Sequence, residues 1–201
     1  MPMNWAHRRL CSSSSWARNM EETYLPWVFE GVDLGTDVLE VGAGYGADLS
    51  TLVARADRVT AVEIDAETAA PLERAWGERV RVRVLTEDAT ALSAPDGVFS
   101  AVVSCTMLHH VPTDELQDRL FAEAFRVLRP GGVLAGCDSL PSLGFRVLHI
   151  GSAMNTLDPG TLPARLRRAG FTEVSVEPCP LPRIRSIRFL ARRPGEPVTA
   201  S

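Results

Sequence analysis

The feature that most constrains the fold is a glycine-rich loop that follows a short apolar strand and opens a helix. The stretch from Val38 to Asp48 reads VLEVGAGYGAD, and Leu49, Leu52 and Val53 follow at helical spacing. Glycines let the backbone turn tightly and approach a ligand closely, and the first turn of a helix offers free N–H donors. A strand, a glycine turn and a helix in direct succession are typical of an α/β protein with a parallel sheet.

Short apolar runs alternate with helical stretches along the remainder of the chain. The runs are rich in Val, Ile or Leu, as strands buried on both faces of a sheet are. They cover residues 37–41, 59–64, 80–85, 98–105, 133–137, 172–177 and 186–192. This alternation predicts an α/β fold with parallel strands and crossover helices.

Three helices are predicted from apolar spacing and end signals. The clearest covers residues 114–128, with Thr113 as its N-cap. A second is predicted over 161–169. A third covers 66–76, and Pro71 falls inside it, where the missing N–H costs a hydrogen bond. We therefore expect the third helix to start late or to kink at this proline.

The length of 201 residues favours one α/β domain. We assign that domain to residues 37–193. Residues 1–36 are polar and aromatic, and they are predicted to form a helical N-terminal cap. Residues 194–201 are predicted to be a flexible tail.

Composition and charge argue against several classes of partner. The 25 acidic and 21 basic residues give a formal net charge of −4, so no basic field of the whole molecule attracts nucleic acid or an anionic membrane. No apolar window is long enough to span a bilayer. The four cysteines are far apart and lack the Cys/His spacing of zinc sites. We therefore expect a cytoplasmic protein with a small-molecule partner, no metal, no nucleic acid and no membrane, and its oligomeric state stays open.

Three acids lie at the ends of successive predicted strands. Glu40 is a charge inside an apolar strand, which suits a cationic ligand, although a buried salt bridge is the alternative. Glu63 could accept both hydroxyls of a ribose, and Asp88 could accept from an exocyclic amine such as that of adenine. Either acid could also be an exposed loop charge or a helix cap. Because the carboxyl ends of parallel strands share one edge of the sheet, we expect all three acids at one crevice.

The glycine loop alone leaves a second class of protein open. Read as G-x-G-x-x-A, it also fits the dinucleotide-binding pattern, with Glu63 in the place of the ribose-binding acid. A nicotinamide-dependent oxidoreductase is therefore an alternative at this point.

Taken together, the segments resemble the class I S-adenosylmethionine-dependent methyltransferases. The resemblance covers roughly residues 37–192. The matching segments are VLEVGAGYGADL (38–49), AVEID (61–65), EDATAL (87–92), FSAVVSCTMLHHV (99–111) and FRVLRPGG (125–132). The resemblance implies a doubly wound, seven-stranded, mostly parallel sheet with an antiparallel C-terminal edge strand, supplied by the last two apolar runs as a hairpin.

The resemblance also implies a cofactor, S-adenosylmethionine, and S-adenosylhomocysteine as its product. The residues implied to bind it are Glu40, Gly42, Ala43 and Gly44 at the methionine part, Glu63 at the ribose, Ile64, Asp88 and Ala89 at the adenine, and Cys105 and Thr106 near the sulfonium.

Methyl transfer from a sulfonium is an in-line displacement with an activated leaving group, so positioning of the acceptor is the main task of the protein. A general base is needed only where the acceptor must lose a proton. We predict His109 as the catalytic residue in contact with the acceptor. Capping of the next helix is an alternative role for His109 and for its neighbour His110. Tyr24, Asp138 and His149 are predicted to line the acceptor pocket.

The predicted function is S-adenosylmethionine-dependent methyl transfer to a small-molecule acceptor. Two alternatives stay open: an NAD(P)-dependent oxidoreductase, and a protein that binds S-adenosylmethionine without transferring the methyl group.

Overall fold

A seven-stranded sheet positions every other element of the chain. The computed structural model describes residues 4–77, 79, 81–152, 154–182 and 184–196. Residues 1–3 of the predicted cap and 197–201 of the predicted tail lie outside the described residues. The strands are β1 (Asp37–Val41), β2 (Arg58–Glu63), β3 (Val82–Thr86), β4 (Phe99–Cys105), β5 (Leu128–Ser139), β6 (Thr172–Pro178) and β7 (Ser186–Arg192).

The strand order is β3-β2-β1-β4-β5-β7-β6. Strands β1 to β5 run parallel to one another, whereas β7 is antiparallel to both β5 and β6. The chain runs outward from β1 on one side and from β4 on the other, so the crevice at their carboxyl ends is the switch point where open α/β sheets bind ligands. This arrangement confirms the predicted doubly wound, mostly parallel sheet. The antiparallel strand β7 lies one place in from the edge, and β6 is outermost.

The predicted strands agree with the observed ones within two residues, except for β5. That strand was expected over 133–137 and instead runs from Leu128 to Ser139. Strand β5 starts earlier because its pairing with β4 begins at Leu128. The register then shifts between Phe99 and Ala101 of β4, and the Pro-Gly-Gly segment lies in this irregularity. Its end is later because β7 continues to pair with it up to Ser139.

Helices flank the sheet in the described part of the chain. They are α1 (Trp5–Cys11), α2 (Ser14–Asn19), α3 (Leu25–Val28), α4 (Leu49–Arg55), α5 (Ala66–Trp76), α6 (Asp114–Val127), α7 (Leu143–Leu148) and α8 (Leu162–Arg168). A π-helical turn (Met20–Tyr24) joins α2 to α3, and a 3₁₀ turn (Leu108–His110) follows β4. The predicted bounds of α6 and α8 agree with these within one residue.

The expected late start of the third predicted helix is wrong. Helix α5 begins at Ala66, directly after Asp65, and continues through Pro71 to Trp76. Asp65 caps it, because its Oδ1 accepts from the backbone N–H of Glu67 at 3.0 Å. Pro71 cannot donate a backbone hydrogen bond. The helix nevertheless continues past it, and its next residue, Leu72, is buried.

Apolar side chains alternate between the two faces of the sheet. Leu39 and Val41 of β1 belong to a buried cluster with Phe121 of α6. Val38 belongs to the cluster on the other face, with Leu52 of α4. This period of two is that of a strand buried on both faces, and it leaves the carboxyl ends of the strands for a binding site.

The first helix is fastened to the connection that follows β5. Asn4 caps α1, since its Oδ1 accepts from the backbone N–H of His7 at 2.9 Å. The Asn4 Nδ2 donates to the carbonyls of Leu148 and Ile150 at 2.7 and 3.0 Å. Two segments distant in the sequence are thereby joined beside the carboxyl edge of the sheet.

The longest described helix, α6, has 14 residues. Across the described ranges, no helix combines the length and the hydropathy that crossing a bilayer requires.

Candidate functional site

A cavity opens at the carboxyl ends of β1, β2 and β4, next to the glycine loop. Eight of the ten predicted cofactor residues line it, together with side chains from α1, α2 and the loop before α4. Its lining comprises Cys11, Trp16, Glu40, Gly42, Ala43, Gly44, Tyr45, Ala47, Asp48, Glu63, Ile64, Asp65, Thr68, Cys105, Thr106, Met107 and His110. We call it the first cavity.

The glycine loop is tied to the end of β2. The N–H groups of Gly42 and Ala43 both donate to the carbonyl of Val62, at 2.8 and 3.0 Å. Gly42 has a φ of +74°, and a Cβ built on it would lie 2.0 Å from Cγ of Met107. This position therefore requires glycine both for its left-handed backbone and for lack of space.

Glu63 is held across the mouth of the loop. Its two oxygens accept hydrogen bonds of 2.9 Å from the backbone N–H groups of Gly44 and Asp65. A carboxylate oxygen has a second lone pair, so both oxygens of Glu63 can still accept a hydroxyl of a ligand.

Two buried carboxyls face the first cavity. Glu40 is 2% exposed, and its Oε2 accepts no hydrogen bond from any described residue. Burial, together with the nearby Asp48 and Glu63, raises the pKa of Glu40 well above its usual value. Burial also raises the pKa of Asp48 to about 7. A cation in the cavity would stabilise both charged forms, so the pair fits the ammonium group of an amino acid.

The end of β4 closes the opposite wall of the first cavity. Cys105 is buried, and its hydrogen bond with Cys137, followed by burial itself, raises the pKa of its thiol. Thr106 has a φ of +52°, which is rare for a β-branched residue, and its N–H donates to the carbonyl of Cys137 at 2.8 Å. The wall thus carries a strained backbone position at the cavity.

A second cavity adjoins the first along a shared wall of Gly42, Ile64, Met107 and His110. Asp88 and Ala89 belong to this second cavity and not to the first. Its other lining residues are Val41, Val62, Glu87, Thr90, Val111, Pro112, Leu116 and Leu120.

The three acids lie along the two adjoining cavities. Glu40 and Glu63 share the first cavity, whereas Asp88 lies in the second. Met107, which lies close to Gly42, belongs to the wall that the two cavities share. Asp88 is itself exposed, and its Oδ1 accepts from the N–H of Thr90 at 2.8 Å.

The four residues predicted on the acceptor side line neither cavity. Tyr24 is half-buried against the ring of Trp16, with centroids 5.9 Å apart. Asp138 is fully buried, because β5 extends past it. Its carboxylate accepts from the backbone N–H of His109 at 3.0 Å and pairs with the Nδ1 of that ring at 2.5 Å. His149 is 3% exposed, and like His109 it faces other histidines.

The histidine cluster, which we define as His7, His109, His110 and His149, lies beside the first cavity. It contains every histidine of the chain, and only His110 among the four lines the cavities. Burial, with smaller contributions from His149 and His109, lowers the pKa of His7 to about 4. Burial likewise lowers the pKa of His149. The rings of His7 and His149 are therefore neutral at physiological pH.

Sequence reasoning missed Asp48 and the histidine cluster. An acid placed between the glycines and the first apolar turn of α4 is a local signal that could have identified Asp48. No local signal announces the cluster, because His7 and His149 reach it only through the packing of α1 against the connection after β5.

Comparison with known proteins supplies the family. A family model described as a methyltransferase domain matches residues 38–132. A probable S-adenosylmethionine-dependent methyltransferase of Mycolicibacterium smegmatis is 38% identical over 126 residues, which are 62% of this chain and 45% of that protein. The erythromycin 3''-O-methyltransferase of Saccharopolyspora erythraea is 32% identical over 171 residues, covering 73% of this chain and 54% of that protein. The chain thus spans about half the length of these relatives.

The relatives cover more than one class of acceptor. A probable ribosomal RNA small subunit methyltransferase A of Haloarcula marismortui is 40% identical over 95 residues, 46% of this chain and 32% of that protein. Among solved structures, the N-methyltransferase NodS of Bradyrhizobium japonicum, in complex with S-adenosylhomocysteine, shares the fold with a TM-score of 0.70 at 18% identity, over 92% of this chain and 91% of that one. The fold, the glycine loop and these matches together identify the chain as a member of the class I S-adenosylmethionine-dependent methyltransferase family.

Proposed function

We propose that this chain transfers a methyl group from S-adenosylmethionine to a small-molecule acceptor. The observation that carries the proposal is the buried side chain of Glu40 beside the glycine loop, of which the Oε2 atom has no hydrogen-bond partner among the described residues. A dinucleotide phosphate would be repelled by this group and by Asp48, whereas the ammonium of an adenosyl amino acid would be bound. This charge preference favours the methyltransferase over the oxidoreductase.

The two cavities suit the two ends of such a cofactor. In this proposal Glu40, Asp48 and the loop of residues 42–44 hold the amino acid end in the first cavity. Glu63 accepts from the ribose hydroxyls with the lone pairs left over from its two backbone bonds. The adenine packs on Ile64, which is 66% exposed on the shared wall, and reaches Asp88 and Ala89 in the second cavity.

When bound, S-adenosylmethionine supplies a methyl carbon on a positively charged sulfur, which is an activated leaving group. The chain then has to place an acceptor nucleophile in line behind the methyl carbon and exclude water. Cys105 and Thr106 bound the cavity on the β4 side, and Cys11 and Trp16 bound it from α1 and α2. The accessible surface of this cavity is mainly apolar, which is typical of small-ligand sites.

The acceptor class is supported by this enclosure rather than by the relatives, which include enzymes named for small molecules and for ribosomal RNA. We propose residues 1–36 as the cap that covers the acceptor and residues 37–193 as the cofactor-binding domain. A location in the cytosol is supported by the four cysteines, which form no disulfide.

The role of His109 is also a proposal. Its ring lies 4.2 Å from that of His110, measured between centroids, and only His110 lines the cavity. We therefore propose that His109 is a positioning residue: Asp138 holds its ring, and its ring in turn orients His110, which lines the cavity.

Ligand binding tests the cofactor. A ligand that binds only the native state, at about a hundred times its Kd, adds about 2.7 kcal/mol to the free energy of unfolding. We expect S-adenosylhomocysteine to raise the unfolding temperature and NADH and NADPH to leave it unchanged. Stabilisation by a nicotinamide dinucleotide alone would overturn the proposal.

Methyl transfer is tested separately with methyl-labelled S-adenosylmethionine. The protein is incubated with hydroxylated and aminated small molecules, with ribosomal RNA and with a protein extract. Label in the small-molecule fraction supports the proposed acceptor class, whereas label in RNA or protein alone overturns it and leaves the cofactor assignment intact. Binding without label in any fraction would favour a protein that uses the cofactor without transfer.

A further inference from the structure

The histidine cluster brings together four imidazoles from three separate parts of the chain. His7 lies on α1, His109 and His110 lie in the 3₁₀ turn after β4, and His149 follows α7. One ring nitrogen of each lies within 4.8 Å of one from every other member. Three members are almost completely buried, with exposed fractions of 5% for His7, 2% for His109 and 3% for His149.

Hydrogen bonds fix the tautomers of two of these rings. The Nδ1 of His149 donates to the carbonyl of Phe145 at 2.7 Å, since a carbonyl can only accept. The Nδ1 of His109 donates to Asp138, whose carboxylate also accepts from the backbone N–H of Ser139 at 2.6 Å. In the neutral form of each ring, Nε2 therefore carries a lone pair and no proton.

Three buried ring nitrogens of the cluster have no hydrogen-bond partner among the described residues. The Nε2 atoms of His109 and His149 and the Nδ1 of His7 are buried and make no hydrogen bond within the described ranges. Leaving a buried acceptor unsatisfied costs about 1–3 kcal/mol. Since one ring nitrogen of each histidine lies within 4.8 Å of those of the others, a single cation bound within the cluster would give such atoms a partner.

The chemistry of this donor set is that of a transition metal site. Neutral imidazole is a preferred ligand of Zn²⁺ and similar ions, with Zn–N distances of about 2.0–2.1 Å. Ligating histidines usually donate their other ring N–H to a carboxylate or a backbone carbonyl. His109 and His149 already do so, through Asp138 and the carbonyl of Phe145.

The backbone around the cluster is tied together before any ion binds. Asn4 links the start of α1 to the carbonyls of Leu148 and Ile150 on either side of His149. The N–H of Asn155 donates to the carbonyl of His109 at 2.8 Å. The ligands would thus be held close to their bound positions, which lowers the entropic cost of binding.

We propose that the histidine cluster binds one divalent transition metal ion of the Zn²⁺ class. His7, His109 and His149 are its buried ligands, and His110 is the fourth imidazole, on the side of the cavities. The ion would fix α1, and with it Cys11, against the rim of the first cavity. With the ion bound, His109 is a ligand and not a free base. The inference does not rest on the proposed methyl transfer.

The test uses untagged protein, because a polyhistidine tag would bind the same ions. Metal is removed with a chelator, and the protein is titrated with Co²⁺, whose visible absorption reports tetrahedral coordination, and then with Zn²⁺ in competition. We expect one ion per chain, with micromolar or tighter affinity. Absence of saturable binding at micromolar Co²⁺ and Zn²⁺ would overturn the proposal.

Variants assign the ligands. His7→Gln and His149→Gln should each weaken Co²⁺ binding by about a hundredfold or more, and Asp138→Asn by about 10–100-fold, because it positions His109. Leu10→Gln, a change on the exposed face of α1, is the matched control and should bind Co²⁺ as the wild type does. Equal loss in Leu10→Gln, or no loss in His7→Gln, would contradict the assignment.

Binding of S-adenosylhomocysteine by each variant is the readout of folding. Affinity for S-adenosylhomocysteine that is unchanged while Co²⁺ binding is lost shows that the variant is folded and that the loss is local. If the wild type binds Co²⁺ and not S-adenosylhomocysteine, the metal site stands and the proposed function fails.

Discussion

The first cavity and the histidine cluster adjoin each other and both bury polar atoms without partners, yet they are built in opposite ways. The cavity depends on a local motif, in which one strand end and the loop after it supply Glu40, Gly42 and Asp48. The cluster depends on long-range packing that joins α1 to the segment around His149. The cavity would bind a cation through carboxylates, and the cluster would bind one through neutral nitrogen lone pairs. A motif can therefore be found from sequence when its parts are adjacent, whereas an assembled site is found only from the structure.

The largest effect on the local site is expected at Gly42. The variant Gly42→Ala places a Cβ 2.0 Å from Met107 and adds strain at a φ of +74°. We expect a loss of about 3 kcal/mol in the free energy of unfolding and loss of measurable S-adenosylhomocysteine binding. Chemical denaturation and calorimetry measure the two effects.

The matched control is Gly131→Ala, at a φ of +79° with nothing within 4 Å of the added Cβ. It should cost about 1 kcal/mol and leave cofactor binding unchanged. Equal effects of the two variants would mean that the contact with Met107 is unimportant.

The next effect separates binding from stability at Glu40. Because the buried Oε2 of Glu40 has no hydrogen-bond partner among the described residues, Glu40→Gln should leave the ligand-free protein as stable as the wild type or more so. The same change should weaken S-adenosylhomocysteine binding by about 10–100-fold, through loss of a charge-assisted hydrogen bond to the ammonium. Calorimetric titration and thermal unfolding measure the two quantities, and Glu73→Gln on α5 is the exposed control. Parallel loss of stability and of affinity would point to a structural salt bridge instead.

The pH dependence of stability sharpens the comparison further. Asp48 has a pKa raised from 3.8 to about 7, so the folded state binds a proton more tightly than the unfolded state does. Its contribution to the stability of the ligand-free protein is therefore complete below about pH 4 and is lost as the pH rises through about 7. Affinity for S-adenosylhomocysteine should rise over the same interval, because ionised carboxylates bind the ammonium.

Unfolding of the wild type and of Asp48→Asn, compared between about pH 5 and pH 8, isolates this contribution. The stability of the wild type relative to the variant should fall with rising pH. A difference that does not change with pH would show that Asp48 does not titrate in this range.

The smallest effect is expected at Ile64, which is 66% exposed on the wall between the two cavities. Ile64→Ala should change the free energy of unfolding by no more than about 0.5 kcal/mol. It should weaken S-adenosylhomocysteine binding by only a few-fold, through lost packing on the adenine. A large loss of stability would show that the side chain supports the wall rather than a ligand.

Much of the fold could be predicted from the sequence, because the spacing of apolar residues, helix caps and glycine turns each depend on residues that are close together in the chain. The bounds of α6, set by Thr113 and by apolar spacing, were predictable for this reason. The late start expected from Pro71 was wrong, because a capped helix start and buried packing outweigh one missing hydrogen bond. The burial of Asp138 could not be predicted from the sequence, because pairing with β7 extends β5 beyond its apolar run.

The residues of the candidate site show the same difference between local signals and long-range packing. Glu40, Gly42 and Glu63 were placed at one cavity by their positions at strand ends, and Asp88 lines the adjoining cavity. The meeting of His7 with His149 depends on tertiary contacts that no spacing encodes.

The reversed direction of β7 has a practical consequence for experiments. Its last residue, Arg192, pairs with Val133, whereas its first residue, Ser186, pairs with Ser139 at the carboxyl end of β5, so the backbone leaves β7 away from the ligand-binding edge. A fluorophore or surface tether attached at the exposed Glu196 would therefore stay clear of the cavities. Immobilised or dye-labelled protein prepared in this way could report ligand uptake without obstructing it.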